Sequence, residues 1–149
     1  MSINSRQKGA AAEREFCKEL LSLADIKLVR NLEQTRSGGF DLIPENQAQA
    51  QSWPWAIEVK RYASVTDSKI HGWLKQAVEQ AELADKTPVL AYRADRQEWK
   101  VMLPVGQWNI TPVPRGVEAY QWVTVDMGLA SVVLAGSLNL QTTESMHRR

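Results

Sequence analysis

WAIEVKRY, residues 55–62, alternates with the period of a β-strand. Trp55, Ile57 and Val59 point to one side, and Glu58, Lys60 and Tyr62 to the other. Glu58 and Lys60 therefore emerge on one face, about 7 Å apart along the chain. If the strand is central, its second face is also buried, and two opposite charges there need a purpose. If it is an edge strand, the two simply form a same-face salt bridge.

Downstream, residues 67–84 return to helical spacing, with Ile70, Trp73, Ala77 and Ala81 on one stripe and Asp67 or Ser68 as cap. Pro88–Ala94 and Glu98–Leu103 read as two strands joined by a turn at Asp95 and Arg96. Prolines 104, 112 and 114 break up the chain before a strand at Tyr120–Asp126. LASVVLAG, residues 129–136, fits helix or strand, and QTTESMHRR reads as a frayed tail, flexible from about residue 137.

Upstream, the glutamine-rich ENQAQAQSWP, residues 45–54, reads as a surface loop. Phe40–Ile43 is a short apolar run closed by Pro44, preceded by the turn-rich NLEQTRSGG. Ile26–Arg30 reads as a strand. Residues 5–24 read as a helix capped by Ser5 or Asn4, with Ala12, Phe16, Leu20 and Leu23 on its apolar face. The order of elements predicts an α/β fold with a mixed sheet and helices on its faces.

At 149 residues with 44% hydrophobic content, the chain suits one domain, 1–149, with a core of its own. No run reaches the 18–20 apolar residues of a membrane span, and the polar start lacks a signal-peptide pattern, so an intracellular, cytoplasmic protein is expected. A single cysteine, Cys17, excludes an internal disulfide and a thiolate zinc cluster. A net charge of +1 excludes nucleic-acid binding by bulk charge, so any such contact depends on local geometry. Two histidines, His71 and His147, give a histidine-based mechanism little to draw on.

Three oddities carry chemistry. Glu13 is followed at helical spacing by Phe16, Cys17, Leu20 and Leu21, which sets a carboxylate on an apolar side; there it either pairs with a basic neighbour or binds a metal. Glu15, by contrast, falls with Lys18 and Glu19 on a solvated face. Asp41 follows the turn RSGGF, where it is a strand-start residue or a ligand. Glu58 and Lys60 complete the set. Together the acids suit a hard cation such as Mg²⁺, which would activate water and neutralise charge in phosphodiester cleavage. Lys60 would polarise the attacking water, and Glu13 would approach from its helix as a further ligand.

KGAAAEREF (8–16), RSGGFDLI (36–43), AIEVK (56–60) and PVLAYR (88–93) resemble, in order and spacing, the motifs of archaeal-type Holliday-junction resolvases of the PD-(D/E)xK nuclease superfamily. The resemblance covers about residues 5–103. It implies a restriction-endonuclease-like core with a mixed sheet of about five strands flanked by helices, followed by an extra C-terminal segment, 104–149. It also implies a Mg²⁺-dependent endonuclease, with Mn²⁺ able to substitute, that resolves four-way junctions as a homodimer. Glu13, Asp41, Glu58 and Lys60 would be catalytic, and Glu13, Asp41 and Glu58 the metal ligands. The family's proline before the acid is replaced by Phe40, and its arginine matches either Arg30 or Arg36.

Lys8, Arg14, Arg30, Arg36 and Arg61 are the expected DNA-binding cations, with Ser37 a further phosphate donor and Gln76 an accessory residue of the site. Trp108 and Trp122 suit core packing, a dimer interface or a DNA contact. Two alternatives remain: another PD-(D/E)xK DNA nuclease that nicks, cuts flaps or processes ends, and a catalytically silent DNA-binding module. Host recombination and phage DNA processing both remain open as settings.

Overall fold

The computed structural model describes residues 2–31, 42–107 and 116–147. Its elements are α1 (Ser2–Ala24), β1 (Leu28–Arg30), β2 (Leu42–Pro44), α2 (Gln47–Ser52), β3 (Trp55–Tyr62), α3 (Asp67–Ala84), β4 (Thr87–Ala94), β5 (Lys100–Gln107), a 3-10 turn (Gly116–Ala119), β6 (Tyr120–Asp126) and α4 (Met127–His147). β3 and α3 have the bounds their periodicities predict.

The sheet follows from the connections. β3 and β4 are joined by α3 and pair in parallel, because a parallel pair needs a long crossover. β4–β5 and β5–β6 are antiparallel, giving the order β3-β4-β5-β6. The β5–β6 register shifts between Pro104 and Gly106, where proline has no N–H to donate to the ladder. β1 and β2 form a separate antiparallel pair. The main sheet among the described residues therefore has four strands rather than about five: the short upstream strands pair with each other instead of extending it.

One face of the sheet is covered by α1 and α4. Ala12, Phe16 and Leu20 from α1 and Ala130 and Leu134 from α4 bury against Ile57, Val59, Val89, Ala91, Val101 and Leu103. Leu23, expected on the α1 stripe, is exposed. On the other face, Trp73 and Leu74 of α3 pack on Leu90 and Tyr92. Trp122 packs partly buried against this second cluster, while Trp108 lies outside the described residues.

Four local readings change. The glutamine-rich stretch contains helix α2: its alanines and glutamines are good helix formers, Asn46 caps Gln49 N at 3.1 Å, and the helix stops before Trp53-Pro54. Thr66, not Asp67 or Ser68, caps α3. α1 begins at Ser2, ahead of both expected caps, and ends where Asp25 turns left-handed with φ 55°. LASVVLAG is helical and belongs to α4, whose backbone runs to His147. Among the described residues no helix is long and apolar enough to cross a membrane.

Candidate active site

The site is built where α1 crosses β3, the end strand of the main sheet among the described residues. Glu58 faces the α3 side of the sheet, opposite Leu90 in the β4 register, and is only 3% exposed. Lys60, two residues on along the same face, sits with its ammonium 3.7 Å from Glu58 Oε2. Burial of Ala12, Phe16 and Leu20 against Ile57 and Val59 fixes α1 on the strand, and the intervening Glu13 is 9% exposed. Arg30, at the end of β1, places Nε 2.7 Å from Glu13 Oε2. Both the ion-pair readings of Glu13 and of Glu58 with Lys60 are thus realised, but both acids also line one cavity.

That cavity, of about 300 Å³, is bordered by Lys8, Glu13, Glu58, Lys60, Arg61 and Tyr62 and by Gln76 and Gln80 of α3. Gln76, the expected accessory residue, borders the cavity, as does Gln80 one turn further along the same helix, for which the i, i+4 spacing is the signal in the sequence. The Gln80 amide oxygen is buried and accepts no hydrogen bond among the described residues. Two carboxylates and an amide side chain border one space, and oxygen atoms of this kind are the ligands a hard divalent cation takes. No group of three or more metal-binding side chains forms among the described residues. Asp41, the third expected acid, lies outside them, as do Arg36 and Ser37. Asp41 immediately precedes β2, which contacts β3. The charge on Glu13 is felt on its own helix: burial first, and then the Glu13 carboxylate, pushes the Cys17 thiol up to about 11.

A family model described as "Phage putative PDDEXK endonuclease" matches residues 4–130, most of the chain and every element of this site. The chain belongs to this endonuclease family. PD-(D/E)xK nucleases typically depend on a divalent metal ion, in keeping with the oxygen donors around the cavity. Among solved structures, the Holliday junction resolvase Hjc of the archaeal hyperthermophile Archaeoglobus fulgidus is similar, with 17% identity over 83% of this chain and 95% of that chain and a TM-score of 0.48. No curated protein matches.

The basic residues around the endonuclease cavity are less free than their sequence suggests. Lys8 pairs with Asp95 at 3.3 Å. Arg61 donates to Asp95 Oδ1 and to Glu15 Oε2, each at 3.1 Å. Arg14 is exposed. Glu15 is the residue that sequence reading misplaced: it accepts from Arg61 and from Trp99 Nε1 at 3.1 Å and lies 3.0 Å from Arg93 Nε. Arg61 and Arg93 are register partners on the apolar, α1-facing side of β3 and β4. Two guanidinium groups side by side on a buried face call for an acid from the covering helix. That requirement becomes visible only once the strands are known to pair. The Lys8 hydrogen bond, more than the Arg61 pair, holds the Asp95 carboxyl below its ordinary value.

Proposed function

We propose that this chain is a Mg²⁺-dependent endonuclease that cuts branched DNA, with four-way junctions as its substrate, and that it acts as a homodimer in the cytoplasm of a host cell. The observation that supports this reading is the meeting of Glu13 and Glu58, two buried carboxylates from separate elements, at one cavity beside Lys60. Burying acids is costly unless cations offset them; Arg30 and Lys60 do so here, and both carboxylates still border the same pocket.

Asp41 and Glu58 would hold the metal, with Glu13 as a further ligand, direct or through water. A divalent ion bound there supplies an activated water and neutralises charge on the phosphoryl oxygens. Mn²⁺ would serve in its place. The chain's own groups do the rest. Lys60 is one-fifth exposed, so its ammonium reaches the cavity to orient the water and meet transition-state charge. Arg30 holds Glu13 in place, a contact that supports Arg30 in the role of the family's arginine. Gln76 and Gln80 border the pocket from α3 as hydrogen-bonding groups for water or phosphate. Lys8, Arg14, Arg36, Ser37 and Arg61 contribute phosphate contacts.

Junction selectivity does not come from the metal site, which cuts any phosphodiester presented to it. It comes from two sites at a fixed separation in a two-fold dimer, matching the symmetry of the junction. The test is cleavage of a synthetic four-way junction, a flap, a linear duplex and a single strand in Mg²⁺ by wild type, Lys60→Ala and Asp41→Asn. Junction cutting that both variants lose while still binding supports the reading. Preferred cutting of flaps or ends assigns another nuclease activity of the family, and binding without cutting by wild type assigns a silent module.

A further inference from the structure

We infer that Tyr62 is a stacking subsite for an unpaired nucleobase beside the scissile phosphate, a role that rests on the endonuclease reading and adds a ligand class to its cavity. Tyr62 ends β3 on the face that carries Glu58 and Lys60, and it borders the same cavity. Strand geometry puts its Cα about 7 Å beyond that of Lys60 and about 13 Å beyond that of Glu58.

Tyr62 is 43% exposed, and its ring has a firm floor. It stacks on Trp73 with centroids 5.1 Å apart and planes at 25°. Trp73 is itself 8% exposed and rests against Tyr92, with centroids 6.2 Å apart. A large aromatic surface is thus held open to solvent without the freedom to fold away, so little ordering cost remains when a ligand stacks on it.

The ammonium of Lys69 lies 5.2 Å from the Tyr62 centroid and also donates to the Ser64 carbonyl at 3.0 Å. A cation over a solvent-accessible ring is held more weakly than a stacked base, so a base can displace it.

A nucleobase suits this surface because every base has a π-face and is joined to the phosphate that the acids and Lys60 would engage. A base within a duplex is already stacked on both sides and cannot take the position without leaving the helix. Tyr62 would therefore favour branch points, flaps and single-stranded ends over linear duplex. If Tyr62 served only to cover Trp73, an aliphatic side chain would do as well.

The test is fluorescence anisotropy of a labelled single strand and of the linear duplex of the same sequence, with full-length wild type, Tyr62→Phe and Tyr62→Leu, in the absence of Mg²⁺. Loss of stacking in Tyr62→Leu is expected to weaken single-strand binding by about tenfold, with duplex binding changed less than twofold and Tyr62→Phe close to wild type. Unchanged single-strand binding by Tyr62→Leu, an equal loss on both DNAs, or an equal loss in Tyr62→Phe overturns the proposal. Should Tyr62→Leu fail to fold, Tyr62→Trp decides: its larger face should tighten single-strand binding relative to duplex, and no gain counts against the subsite. Because binding is read without cleavage, a wild type that cuts nothing in Mg²⁺ refutes the catalytic reading and leaves this result separately readable.

Discussion

Glu13 and Cys17 lie one helical turn apart on α1, which makes the thiol a reporter for the acid. Burial is the larger cause of the raised Cys17 value and the Glu13 charge the second. Thiolate absorbance should therefore titrate near pH 11 in wild type and at a lower pH in Glu13→Gln, without reaching the ordinary value of 9.0. Since the folded thiol ionises above its unfolded value, its contribution to stability is intact below about pH 9 and is lost as pH rises toward 11. An unchanged midpoint in Glu13→Gln would mean that Glu13 is not ionised where it sits. Removing Glu58 or Lys60 should act on activity: Glu58→Gln and Lys60→Ala should each lower cleavage by roughly 10²–10⁴-fold, while Glu58→Gln, which keeps the shape and removes a buried charge, leaves the thermal midpoint no lower than that of wild type. Comparable losses of activity and of folded protein would make the pair structural. These residues are legible in sequence because charges on an otherwise apolar face break a period of 2 or 3.6. Glu15 is not, because Arg61 and Arg93 lie 46 and 78 residues away and come to it only through strand pairing.

Between elements, the cluster of Glu15, Arg61, Arg93, Asp95 and Lys8 ties α1 to β3 and β4. Glu15→Ala takes one acceptor from each of two guanidinium groups and removes the acceptor of the Trp99 indole N–H, and should cost about 1–3 kcal/mol, read as a lower thermal midpoint. Little or no shift would mean that solvent replaces the contacts. The depressed Asp95 value sets the pH dependence of the Lys8 and Arg61 pairs: their contribution is present above the ordinary carboxyl value of 3.8 and is lost as pH falls through the lower folded-state value. On the opposite face, Thr66→Ala removes the cap of α3 and should cost about 1 kcal/mol; an unchanged thermal midpoint would show that the cap contributes nothing. The bounds of α3 are legible because its apolar stripe recurs along a helix of eighteen residues. α2 was not, because six polar and small residues carry too little pattern and cannot sustain a helix alone. The buried Trp53 that follows it anchors the turn to the core.

For the molecule as a whole, the order of elements sufficed to read a mixed α/β sheet, since a strand, a helix and a strand imply a parallel pair. The number of strands did not follow, because three-residue β1 and β2 pair equally well with each other or with a larger sheet. The site occupies the consequence of that arrangement, beside β3 at the margin of the four-stranded sheet, with α1 bringing an acid from one layer and α3 bringing amides from the other. The claim on which the catalytic account depends is that Glu13, Asp41 and Glu58 serve a single cation. Diffraction from crystals grown with Mn²⁺ tests it most directly. An anomalous peak is expected in this cavity, coordinated by Asp41 and Glu58 and reached by Glu13 directly or through water; an empty cavity, or an Asp41 carboxylate turned away from Glu58, would contradict a shared cation.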